Sequence, residues 1–145
     1  MKHIAILSLI LFNSASRAFA QHLDTSAYAI LRFEAHYGFP EQSISATLNQ
    51  DELLQIEKMI VQIIQDHNKK NKHYTIDISK YKRQYIAALT PTGEKIVWVN
   101  CFCDSLGTDW HKEMLIVEDG GKCFFNLILN LKKNNFYNFF INGIG

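Results

Sequence analysis

Apolar residues recur at helical spacing most clearly over residues 50–67, where Leu53, Ile56, Ile60, Ile63 and Ile64 share one stripe. Glu57, Lys58, Gln62 and Asp66 fall mostly on the opposite side. The start of this helix is signalled three times over. Asn49 can cap it, Glu52 at the third helical position can reach back to the cap, and Leu48 with Leu53 can form a hydrophobic staple across the junction. A basic, Asn-containing stretch over residues 67–73 ends it.

Two earlier segments are less clear-cut. Residues 28–37 fit a helix capped by Asp24 and stopped at Gly38 before Pro40, and equally a strand in which Ala29, Leu31, Phe33, Ala35 and Tyr37 alternate. The helix is the reading preferred here. Residues 43–48 then form a short extended entry into the main helix.

Beyond Tyr74 the period shortens to two and strand follows strand. Residues 85–89 lead into Thr90-Pro91-Thr92-Gly93, where Pro presets the second turn position and Gly supplies a positive φ, and residues 95–103 return. A polar loop through Asp104, Gly107 and Asp109 leads to an expected short strand over Met114, Leu115, Ile116 and Val117. Asp119-Gly120-Gly121 signals a second hairpin before residues 123–131, and residues 136–141 close the series. Helix first and antiparallel strands afterwards predict an α+β domain: one main amphipathic helix packed on an antiparallel sheet of about four to five strands. Cystatin-like and related inhibitor folds share that layout, which is an analogy of arrangement and carries no function.

The amino-terminal pattern is of another kind. Lys2 and His3 precede an apolar run over residues 4–12, and small residues lead to Ala18-Phe19-Ala20, the three parts of a secretory signal cleaved before Gln21. That run is shorter than the roughly twenty residues a membrane-spanning helix needs, and no later stretch supplies one. The expected organisation is a signal peptide over residues 1–20 and a single domain over 21–145, destined for the periplasm or the outside medium. Removing Lys2 and Arg17 leaves thirteen basic residues against fourteen acidic ones, so the formal charge moves from +1 to −1. A near-neutral chain has no global attraction to nucleic acid. Local clusters at Lys69, Lys70 and Lys72 and at Lys80, Lys82 and Arg83 are either an anionic-surface patch or, the preferred reading, a helix carboxyl end and a solvated strand edge.

Unusual side chains gather at Trp98-Val99-Asn100-Cys101-Phe102-Cys103 and in the following loop, which ends in Asp109-Trp110-His111. In W-V-N-C-F-C, in D-G-G-K-C-F-F-N and in the closing I-N-G, the chain resembles small exported proteins of Bacteroidota whose activity is unknown. The resemblance covers most of the second half of the mature chain. It implies an exported compartment and a shared fold, and it supplies no catalytic residue.

Cys101, Cys103, Cys123 and His111 are all possible zinc ligands, but C-x-C on a strand lacks the turn that wraps a metal, and His111 stands alone. We assign no metal, no cofactor and no catalytic residue. Thiols inside apolar strand text stay protonated, which argues against a cysteine nucleophile. The alternative kept open is a small periplasmic hydrolase or thiol protein using His111 with Cys103. The preferred function is binding: Trp110 in a loop rich in Asp, Ser and Gly, with Asp109 and His111 beside it, would suit recognition of another exported protein or a glycan. Equally, Trp110 could fold back over the sheet as a lid. For the three cysteines, a plain meander places residues 114–117 between the strand of Cys101 and Cys103 and that of Cys123, too far apart for a disulfide. If residues 114–117 are displaced, the two regions meet and one covalent link forms.

Overall fold

The computed structural model describes residues 23–34 and 38–144; the expected signal segment lies outside them, as do residues 35–37. Helix α1 (Gln50–Lys70) forms where the apolar stripe predicts it. The Glu52 amide donates to the Asn49 side chain and the Asn49 amide donates to the Glu52 carboxylate, each at 2.9 Å, so two otherwise orphaned donors are satisfied reciprocally. At the other end the Asn71 amide donates to the His67 carbonyl at 2.9 Å. Asn68 bonds the backbone of Ile76 in both directions, at 2.7 and 2.8 Å, and brings the chain back against the helix.

Among the described residues the sheet has six strands: β1 (Tyr28–Ile30), β2 (Ile44–Ser45), β3 (Lys82–Leu89), β4 (Lys95–Phe102), β5 (Phe124–Asn130) and β6 (Asn135–Ile141). Strands β3 to β6 form an antiparallel meander. β1 and β2 share the outer edge of β3, one parallel and one antiparallel, so the sheet is mixed and larger than the antiparallel one expected. The turn between β3 and β4 is the one signalled by Pro91 and Gly93, with Gly93 at φ +74°.

Three expectations are corrected. Residues 28–30 are strand, not helix. Asp24 closes a local turn instead of capping a helix, accepting from the Ser26 amide and hydroxyl at 3.0 and 2.6 Å. The period-two reading wins because β3 offers an open edge and Tyr85 offers a ring on which Tyr28 stacks, with centroids 5.5 Å apart. Residues 31–34 continue without regular structure. The expected strand over residues 114–117 does not form either, because β5 occupies β4 from Ile96 opposite Asn130 to Phe102 opposite Phe124. The third correction concerns Gly120 and Gly121, which do take positive φ, +91° and +58°, but begin a 3₁₀ turn (Gly121–Cys123) running into β5 instead of joining two strands.

Period two divides the sheet into two faces with different cover. On the first, Tyr85, Val97, Val99, Cys101, Phe125, Leu127 and Leu129 pack against Leu53, Ile56, Ile60, Ile63 and Ile64 of α1. No helix among the described residues covers the second face. Phe33 and Phe39 cover Ala88, Ile96 and Ile128 near the β2 end, while Trp110 and Leu115 cover Phe102 and Phe124 at the other end.

Ile60 is fully buried against the first face. Truncation to Ala is expected to lower the unfolding free energy by about 2–5 kcal/mol through lost contacts and the cavity left behind. Urea denaturation followed by far-UV circular dichroism checks this; a loss under about 1 kcal/mol would mean that the helix is not seated as described.

Candidate functional site

The loop flagged in the sequence folds onto the sheet. The Asp109 carbonyl accepts from the amides of Lys112 and Glu113, both at 2.9 Å, and its carboxylate meets the Lys112 ammonium at 2.9 Å. That hydrogen bond holds the Asp109 carboxyl below the usual carboxylate range. His111 is exposed, its ring 3.7 Å from that of Trp110. Trp110 itself is only 5% exposed, edge-on to Phe102 at 5.6 Å, with the Lys82 ammonium 5.1 Å from its ring centre. The three residues are neighbours, but the indole is a lid on the sheet rather than a projecting anchor.

What holds this lid was not foreseen. Gln84 of β3 and Asn100 of β4 are cross-strand partners on the second face, and both are buried. The Gln84 amide nitrogen donates to the carbonyls of Trp110 and Glu113, both at 2.7 Å, and its oxygen accepts from the Leu115 amide at 3.0 Å. Asn100 donates to the Leu115 carbonyl at 2.8 Å and to the Gln84 oxygen at 3.1 Å. Two side-chain amides thus do for residues 110–115 what a neighbouring strand would otherwise do, satisfying backbone groups that would be buried unpaired. Farther along, Asn142 donates to the carbonyls of Val117 and Asp119. The signal available in the sequence was polar residues at the inward positions of otherwise apolar strands.

The cysteines also depart from the plain meander. With β5 directly beside β4, Cys103 and Cys123 lie at adjacent strand ends, Cα atoms 5.0 Å apart, and form a disulfide. The absence of a bond expected from the meander is therefore corrected, for the reason that displaced residues 114–117. In the disulfide Cys103 carries no thiolate for His111 to activate. Cys101 is free and completely buried; burial pushes its thiol far up, against a smaller opposing pull from Arg83. No group of three His, Cys, Asp or Glu side chains able to hold a metal occurs among the described residues.

The first basic cluster lies at the carboxyl end of α1, as preferred, whereas the second departs from a solvated strand edge at Arg83. Lys69 and Lys80 pair with Asp66 and Asp77 three residues earlier, at 3.0 and 3.6 Å. Arg83 is buried and spans the sheet–helix junction, pairing with Glu57 of α1 at 3.0 Å and donating to the Tyr81 carbonyl at 2.9 Å. Glu57 also accepts the Tyr85 hydroxyl. Burial, reinforced by the charge of Glu57, raises the Tyr85 phenol well above its ordinary value.

Two surface features remain. A depression of about 340 Å³ lies on the second face, among Trp98, Asn126, Ile128, Ile116 and Asn138. None of Asp109, Trp110 and His111 lines it. Strand β6 borders the same face. Among the described residues it pairs with β5 alone, is bulged opposite the Asn126 to Ile128 stretch of β5 with Asn138 at φ +53°, and leaves Phe136 46%, Tyr137 37% and Phe140 58% exposed.

Gln84→Leu is expected to destabilise the fold by at least about 2 kcal/mol, since it leaves several buried backbone groups unpaired, and to open residues 103–120 to limited proteolysis. Unchanged proteolysis of that segment would show that the amides do not hold it. Alkylation and mass spectrometry of the denatured, unreduced chain are expected to find one free thiol, Cys101, which resists alkylation in the native state. Because the folded state retains the Cys101, Tyr81 and Tyr85 protons beyond the values at which an unfolded chain loses them, the contribution of these three groups to stability should be level below about pH 8.5 and fall as pH rises further. A denaturation midpoint that rose with pH above that point would contradict the burial of these groups.

In comparisons with known proteins, no family model, no curated protein and no solved structure matches this chain.

Proposed function

We propose that the chain is an exported binding module, periplasmic or secreted, that engages another exported protein through strand β6. The observation that carries this reading is the character of that strand. Its outer edge is unpaired among the described residues, and from Asn134 to Ile144 it has no charged side chain. Phe136, Tyr137 and Phe140 stand exposed along it. Edge strands are ordinarily blunted by charge, proline or cover, because open amides and carbonyls pair with other chains. A peptide added in β fashion would take its affinity from those groups and its specificity from the alternate aromatic side chains. The helix-on-sheet arrangement, cystatin-like in layout, suits an inhibitor-like role in which a rigid scaffold presents one edge. Export is supported by the Cys103–Cys123 disulfide, a bond that persists in oxidising compartments.

A photo-crosslinking amino acid at Phe136, compared with one at the exposed Gln65 of α1, tests the reading in the exported fraction. A discrete protein adduct is expected from position 136 alone, and Phe136→Lys should abolish competition by the unlabelled chain. Equal adducts from both positions, or none from position 136, would overturn it.

A further inference from the structure

Gln84, Asn100 and Asn126 form one cross-strand row over β3, β4 and β5 on the second face. The amide nitrogens of the first two are spent on the backbone of residues 110–115 and on the Gln84 oxygen, which also accepts from the Leu115 amide. Asn126, next in the row, is half-buried and its side-chain amide bonds to no described residue. It lies in the depression of about 340 Å³ between the two covering segments, the size of a small-ligand site. Trp98 and Ile128, cross-strand partners, form the adjoining row. Phe140 stands opposite Asn126 on β6, and Asn100, Asn138 and Asn142 bring further amides to the wall.

The chemistry of this lining restricts what fits. No Asp, Glu, Lys, Arg or His among the described residues lines the depression, so a charged ligand would lose its water with nothing of opposite sign to replace it. A purely apolar ligand would cover Asn126 and strand both its donor and its acceptor. What satisfies both conditions is an uncharged molecule with hydroxyl groups on its edges and C–H surface on its faces. The hydroxyls exchange donor and acceptor with the Asn126 amide, while the C–H face packs by dispersion on the side chains of the Trp98 row.

From this we infer that the second face of the sheet is a binding site for a neutral saccharide, anchored by Asn126 and flanked by Trp98. The site is separate from the outer edge of β6 and does not rest on the reading of that strand. Because the Asn126 side chain bonds to no described residue, its truncation is expected to leave the fold in place.

Titration of the ¹⁵N-labelled chain with cellotetraose, maltotetraose, xylotetraose, mannotetraose and chitotetraose tests the site. At least one of these should shift the Asn126 side-chain amide signals. Asn126→Ala should retain the wild-type melting temperature and lose affinity for that sugar by about tenfold or more, as expected for an amide anchoring a bound group. Phe136→Lys should leave the sugar response intact, which separates this site from the β6 edge. The inference is overturned if none of the five sugars binds, if Asn126→Ala binds as the wild type does, or if an acidic oligogalacturonide or an uncharged Gly-Asn peptide occupies the depression in their place.

Discussion

A β-strand has two edges, and in β4 both are used along their length, one by β3 and the other by β5. Much of what distinguishes this molecule depends on that constraint. Residues 103–120 leave the end of β4 and must return to the start of β5, its immediate neighbour, so they have no place in the sheet. They fold over the second face instead, where their backbone groups would be buried without partners. Gln84 and Asn100 resolve the difficulty by lending side-chain amides to the backbone. The same adjacency brings Cys103 to Cys123 and sends Trp110 inward onto Phe102.

The two faces are held by different physics. On the first, α1 supplies a continuous aliphatic stripe, and the pair of buried Arg83 with half-buried Glu57, joined by the Tyr85 hydroxyl, ties helix to sheet at one side. Such a pair is weak evidence for stability, since desolvation opposes the attraction, but removing one partner alone would leave a buried charge. On the second face two irregular segments cover the ends and leave a middle strip in which aromatic and amide side chains alternate by row. Helical cover makes the first face a core, and partial cover makes the second a surface with relief.

Local signals predicted the parts whose structure is decided locally. The Asn49–Glu52 capping box, the Leu53 to Ile64 stripe and the Pro91–Gly93 turn each act within a few residues, and each stands as expected. What could not be read was strand adjacency. Residues 114–117 carry the composition of a strand, and only the presence of β5 on the edge of β4 denies them a partner. Residues 28–30 show the reverse case: a helical signal from Asp24 and Gly38 yields to an open edge on β3. At the candidate site, Trp110 was visible as an unusual residue, yet its orientation depends on Gln84, twenty-six positions earlier. Asn126, the last residue of D-G-G-K-C-F-F-N, carries no functional signal by itself, because a single Asn within an apolar strand has no meaning until its cross-strand neighbours are known.

The disulfide gives residues 103–123 the standing of a closed cassette. Its entrance and exit are fixed 5.0 Å apart at the ends of two paired strands, so the sheet registers only that closure and not the content of the ring between. Inside the ring, the contacts that seat it fall at few positions: the backbone at 110, 113 and 115, the side chains of Trp110 and Leu115, and the Val117 and Asp119 carbonyls held by Asn142. Such an arrangement lets a lineage rewrite the exposed residues of the ring, in length as well as identity, while the strands beneath keep their register.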